Sequence, residues 1–85
     1  MPYIIKKRRY DIDPYDPITK DSPDNAGELN FVLTRCITDY LQAKGLSYQT
    51  INDISGAMTE CLAEFRRRII VPYEKTKIKS NGDCY

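Results

Sequence analysis

The sequence predicts an all-α protein: an antiparallel helical hairpin with a short third helix after Pro72 and an extended N-terminal arm, assembled as a homo-oligomer. Two apolar stripes of helical period carry this expectation. Leu29, Val32, Leu33, Cys36, Ile37, Tyr40 and Ala43 share one face of the first, and Ile51, Ile54, Met58, Cys61, Leu62, Phe65 and Ile69 share one face of the second. Only Gly45, Leu46 and Ser47 separate them, and so short a link turns the second helix back along the first. The oligomer follows from size. A chain of 85 residues forms one small domain, and a domain of that size buries only about 60% of the surface its unfolded form exposes. Without disulfides or a metal, copies must cover what one chain leaves open.

Residues 1–25 hold Pro2, Pro14, Pro17 and Pro23 and no helical period, so they are expected to form an extended arm with turns. Tyr3, Ile4, Ile5, Tyr10, Ile12, Tyr15 and Ile18 make the arm too apolar to float free, and it should lie on something. An N-x-x-E pattern at Asn25 to Glu28 resembles a capping box and starts helix one, expected over 26–44. Gly45 stops it. Helix two is expected over 48–71, from a start near Ser47 or Thr50. Pro72 has no amide hydrogen and disfavours helical geometry at Val71, so it either kinks that helix or opens a third one over 73–80. Asn81-Gly82 ends the helical part, and residues 81–85 are a tail.

Two features fall outside the hairpin stripe. Gly56, Ala63 and Ile70 recur every seven residues opposite the apolar face of helix two, where a mid-helix glycine costs about 1 kcal/mol relative to alanine. Close approach of another backbone would offset that, supplied by the arm or by a second subunit. Phe31 lies on the outer side of helix one beside Thr34, Arg35 and Thr38, and poses the same question.

Composition excludes a good deal of chemistry. Without a histidine there is no His-based triad, His general base or His-ligated zinc. Cys36, Cys61 and Cys84 are odd in number and lack C-x-x-C spacing, so neither a disulfide framework nor a zinc knuckle is indicated. Cys36 and Cys61 read as small core residues and Cys84 as exposed. No apolar run approaches membrane length and no signal segment precedes Lys6-Lys7-Arg8-Arg9, so a reducing cytoplasm is the expected compartment. The formal net charge of +1 hides alternating blocks. Residues 1–10 and 66–80 are basic, and 11–28 and 29–65 are acidic, a pattern suited to arm-to-body or head-to-tail contacts. Acidic residues follow the basic N-terminal run at once, so a nucleic-acid arm is not favoured.

The candidate ligand residues cluster toward the C-terminus. Arg67 and Arg68 are suited to capture of a phosphate or carboxylate, although most such arginines pair with protein carboxylates. Tyr73, Lys77, Asn81, Asp83 and Tyr85 give the C-terminal segment stacking faces, charge and hydrogen-bonding groups, and Asn52 adds another. No catalytic residue and no cofactor are assigned. Asp53, Glu60 and Glu64 share the outer face of helix two and could hold Mg²⁺ through oxygen ligands. The competing reading is a salt-bridge ladder, Glu64 with Arg67 or Arg68, on a wet surface. A magnesium site of that kind usually draws four or more carboxylates from two helices, and helix one offers only Glu28 and Asp39.

The segments Gly27-Glu28-Leu29-Asn30-Phe31, Ile51-Asn52-Asp53-Ile54, Gly56-Ala57, Pro72-Tyr73-Glu74, Lys77-Ile78 and Asn81-Gly82-Asp83 resemble a family of small phage-encoded proteins of unknown function. So do the opening Met1-Pro2-Tyr3-Ile4 and the closing Tyr85, so the resemblance spans the whole chain. The chain departs from that pattern at Arg66, where the family often has an aromatic, and at Cys84, where it has valine. The resemblance implies a setting, the cytoplasm of an infected bacterial host, and no activity. By analogy with other small phage accessory proteins, the first expectation is an oligomeric binder that sequesters a small anionic, nucleotide-type ligand between subunits, an anti-defence role. The alternatives are a module that inhibits a host protein through the Phe31 surface or the arm, and a metal-dependent nucleotide phosphohydrolase on Asp53, Glu60 and Glu64.

Overall fold

A computed structural model describes residues 3–85 of the chain. It contains three helices and, among the described residues, no strand. Helix α1 is Lys6–Ile12 and helix α2 is Ala26–Lys44. The third helix, α3, runs from Tyr48 to Asn81 as an α-helical part Tyr48–Phe65, a π-helical turn Arg66–Ile70 and a second α-helical part Val71–Asn81. Chain contacts divide the molecule into one unit that ends at Ile51 and a second that spans Asn52–Tyr85.

In the first unit the arm is not extended throughout. Lys6–Ile12 is helical, although no side chain caps its start. Its four prolines all lie outside the helix, which leaves every backbone amide of that turn free to donate. After α1 the chain folds back on itself. The Asp13 carboxylate accepts the Tyr15 amide at 3.0 Å, its carbonyl accepts the Asp16 amide at 3.2 Å and the Thr19 hydroxyl, and the Asp11 carbonyl accepts the amides of Lys20 and Asp21 at 3.3 and 3.0 Å. Pro14 and Pro17 sit inside these turns, where the missing donor costs nothing.

Helix α2 begins where its capping box predicts. Asn25 Oδ1 accepts the Glu28 amide at 2.9 Å, and Glu28 Oε1 reaches back to the Asp24 amide at 3.1 Å, one residue upstream of the usual partner. Gly45 terminates the helix at φ 82°, and its amide donates to the Leu41 carbonyl at 2.8 Å. The left-handed value is why glycine stands there. Ser47 then opens α3: its hydroxyl accepts the Thr50 amide at 3.1 Å and its carbonyl accepts the Ile51 amide at 3.0 Å.

The packing of α1 on α2 answers the Phe31 question. Phe31 is buried at 9% exposure and Ile12 at 2%, and these are the buried apolar side chains among the described residues of the unit. Glu28, Phe31 and Arg35 lie along one side of α2, at helical spacing, and that side receives the arm. Phe31 is therefore an internal residue and not an outer surface for a partner. Four more of the arm's apolar side chains are not absorbed: Tyr3, Ile5, Tyr10 and Ile18 are 70% exposed or more. The arm reaches only the edge of the α2 stripe, which stays exposed at Leu29, Leu33, Cys36 and Tyr40. Cys36 is thus not a core residue.

In the second unit Pro72 neither breaks nor restarts the helix. Phe65, Ile70 and Val71 all keep right-handed helical angles. The chain instead widens by one residue, and the Val71 amide donates to the Arg66 carbonyl, five residues back. A proline ring in a regular α-helix crowds the carbonyl four residues earlier and leaves it without a donor. The wider π turn opens that site and lets the helix continue. Gly82, at φ 89°, ends the helix with its amide on the Ile78 carbonyl at 2.8 Å. Nothing in this unit is buried, and Cys61, read from the sequence as a core residue, is exposed. Gly56 has no close backbone over it either, since a methyl group built there meets no atom within 4 Å.

Candidate ligand site at the C-terminal turn

The end of α3 and the turn after it form a recess of about 310 Å³. Helical spacing puts Glu74, Lys77, Ile78 and Asn81 on its wall, and after Gly82 the exposed residues Asp83, Cys84 and Tyr85 complete its lining. Asp83 fixes the tail, since its Oδ1 accepts the Tyr85 amide at 2.9 Å in an Asx turn. The Lys77 ammonium lies over the Tyr73 ring, 5.5 Å from its centroid. Lys77 thus brings a positive charge to both the recess and an exposed aromatic face.

Of the eight residues the sequence proposes as ligand contacts, Lys77, Asn81, Asp83 and Tyr85 line this recess, and Tyr73 adjoins it through Lys77. The remaining three are elsewhere. Asn52 precedes Tyr73 by 21 positions, about 30 Å along a helix. Arg67 and Arg68 are both held by Glu64, one on each carboxylate oxygen, at i,i+3 and i,i+4 spacing. Arg68 foremost, and then Arg67, pull the Glu64 carboxyl below its ordinary value. The salt-bridge ladder is therefore the arrangement present here. Among the described residues no three His, Cys, Asp or Glu side chains come together as a metal would require, so Asp53, Glu60 and Glu64 do not form a gathered site.

Glu74 and Cys84 line the recess without having been singled out as ligand contacts. Glu74 could have been found from its i,i+3 relation to Lys77; Cys84 depends on the path of the tail after Gly82 and left no such signal.

The charged cluster of the first unit has a different character. Arg8 donates from Nε to Glu28 Oε1 at 2.8 Å, from Nη1 to Asp21 Oδ2 at 2.6 Å, and from Nη2 to Asp24 Oδ2 at 3.1 Å and the Ser22 carbonyl at 2.9 Å. The Glu28 bond, more than Asp21, raises the Arg8 pKa above its ordinary value. Glu28 is held below its own, first by Arg8 and then by the Asp24 amide. Arg35 Nε donates to Asp13 Oδ2 at 2.9 Å, and its guanidinium lies 5.9 Å from the Tyr15 ring centroid. Cys36, hydrogen-bonded to the Tyr15 hydroxyl, raises the Tyr15 pKa. Arg9 Nε is occupied by the Ile4 carbonyl at 2.8 Å. The arginines of the N-terminal basic run are thus engaged within the unit.

No described helix is long and apolar enough to cross a membrane. A family model described as a domain of unknown function, DUF6899, matches residues 1–84, and the chain belongs to that family. No curated protein and no solved structure matches it.

Proposed function

For this member of a family of unknown function, we propose a binding protein that assembles from several copies of its helical hairpin and holds a small anionic, nucleotide-type ligand at the C-terminal turn. The recess beside Lys77 carries the reading. Lys77 would neutralise a phosphate, Tyr73 or Tyr85 would stack on a base, and Asn81 and Asp83 would read sugar or base edges. Arg67 and Arg68 would contribute only after leaving Glu64, so they belong to a later step of capture than Lys77. Asn52 could reach such a ligand only from another copy. The likeness of the sequence to small phage proteins supports a setting in the cytoplasm of an infected bacterium, with the ligand a host defence signal that is sequestered and not turned over.

Calorimetric titration with cyclic nucleotides and ADP-ribose derivatives tests the proposal. Binding of one of them is expected, and Lys77→Ala should weaken it about ten-fold, the loss of one charged hydrogen bond. A chain that binds none of them would overturn it.

A second reading is supported by the open apolar face of the second unit, where Met58, Leu62, Phe65 and Ile69 are all about half exposed. It makes the chain an inhibitor that docks on a host protein. With Phe31 internal, the docking surface moves from α2 to α3. A stoichiometric host partner retained by the wild-type chain and lost in Leu62→Glu would favour it over the first. The phosphohydrolase alternative has no gathered carboxylates among the described residues to support it.

A further inference from the structure

We infer that residues 52–81 pair antiparallel with the same residues of a second copy, with Ile54 against Tyr73, Met58 against Ile69 and Leu62 against Phe65. The inference rests on the assembly reading above and gives it a partner and a register. Its basis is the spacing of the open face. Six of the apolar residues on that side, Ile54, Met58, Leu62, Phe65, Ile69 and Tyr73, with Cys61 exposed beside Leu62, follow one another at intervals of four, four, three, four and four residues, which reads the same in both directions. The π turn makes the last interval effective. It delays the helix by about one residue, so that Tyr73 instead of Pro72 follows Ile69 on that side. Met58, Leu62, Phe65, Ile69 and Tyr73 are 50–60% exposed, and Ile54 is partly exposed. An isologous two-fold contact needs a surface that matches itself on reversal, and this face does.

Charge selects the direction. Residues 52–64 carry Asp53, Glu60 and Glu64 and no cation, whereas 66–81 carry Arg66, Arg67, Arg68, Lys75, Lys77 and Lys79 against Glu74 alone. A parallel pair would set each block beside its own kind, and an antiparallel pair sets acidic beside basic. Packed helix axes lie about 8–10 Å apart, close to the screening length of about 8 Å at physiological salt. The preference therefore operates, and weakens as salt is raised. A heterologous protein would have no reason to match a palindromic spacing and a reversed charge order that belong to this chain.

The test uses the full chain with Cys36, Cys61 and Cys84 changed to Ser. Two versions carry a single thiol, one Ile54→Cys and the other Tyr73→Cys, and circular dichroism confirms that both keep their helix content. Mixed and oxidised, they should yield mainly the 54–73 crosslinked heterodimer, and Leu62→Glu in both should abolish it. Predominant 54–54 and 73–73 products would indicate parallel pairing and overturn the register, with the assembly reading intact. A dimeric mass by light scattering with no crosslink at either position would also overturn the register alone. A monomeric mass at all concentrations would overturn the inference and the assembly reading together.

Discussion

The two units of the chain hold themselves together by different means. The first, ending at Ile51, contains every buried side chain among the described residues, Ile12, Phe31 and Thr50. Its ion pairs join residues far apart in sequence, Arg8 with Glu28, Asp21 and Asp24, and Asp13 with Arg35. The second, from Asn52, buries nothing, and its ion pairs stay within one helical turn, Glu64 with Arg67 and Arg68. Local pairs support a helix but do not build a core, and isolated helices are marginal in water even at favourable composition. The first unit thus closes one side of α2 with its own arm and leaves the Leu29 and Leu33 side open, while the second buries no side chain at all.

The largest expected effect breaks the first unit alone. Phe31→Ala should cost about 3–5 kcal/mol, the usual loss for emptying a buried phenylalanine. Amide exchange should then accelerate in α1 and α2 and stay unchanged over residues 66–81. Equal acceleration in both would mean that the two regions fold as one, and the contrast would be lost.

Acid gives the next effect and sharpens the same contrast. Arg8 holds Glu28 below its ordinary value of 4.5. The folded state therefore binds the proton less readily than the unfolded one. The contribution is fully present above the ordinary carboxylate range and is lost as pH falls through the lowered Glu28 value. Arm docking, followed by the protection of α1 amides, should fail on acidification through that window. In Arg8→Ala the dependence on this carboxylate should be smaller, with only the Asp24 amide and Asn25 left to lower Glu28.

Gly56→Ala probes the second unit from its other side. With nothing over the glycine, the substitution should stabilise the helix by about 0.5–1 kcal/mol. A loss of stability in the assembled protein would instead reveal a backbone packed against Gly56 there, as the Gly56, Ala63 and Ile70 stripe suggests. The smallest effect is expected from Glu64→Gln. It releases two exposed arginines, leaves the helix intact, and should strengthen anion binding if Arg67 and Arg68 join the site.

Much of the local structure is legible in the residues because its causes are local. The N-x-x-E pattern, Gly45 and Ser47 mark the ends of α2 and the start of α3, and their hydrogen bonds form between residues three or four apart. Lys77, Asn81, Asp83 and Tyr85 converge for the same reason, since helix spacing and one glycine turn suffice. The charge blocks of the first 28 residues already hint that basic and acidic segments meet.

Other features depend on contacts or geometry that a linear pattern does not carry. Whether Phe31 faces solvent or a neighbour depends on the path of residues 13–25, set by the turns at Asp13 and by the reach of Arg8 across 20 positions. The helicity of Lys6–Ile12 depends on that docking too, because a seven-residue helix with no cap has little stability of its own. Between a kink and a new helix at Pro72 the residues alone did not choose; a π turn over Arg66–Ile70 precedes the α-helical part Val71–Asn81, whose first turn holds the proline. The residues alone set where α2 starts and stops, where α3 starts and which sides are apolar, because capping, glycine conformation and periodicity act within a few residues. Tertiary structure alone decided which of those sides is covered, because burial of Phe31 and exposure of Leu62 depend on what the rest of the chain places over them.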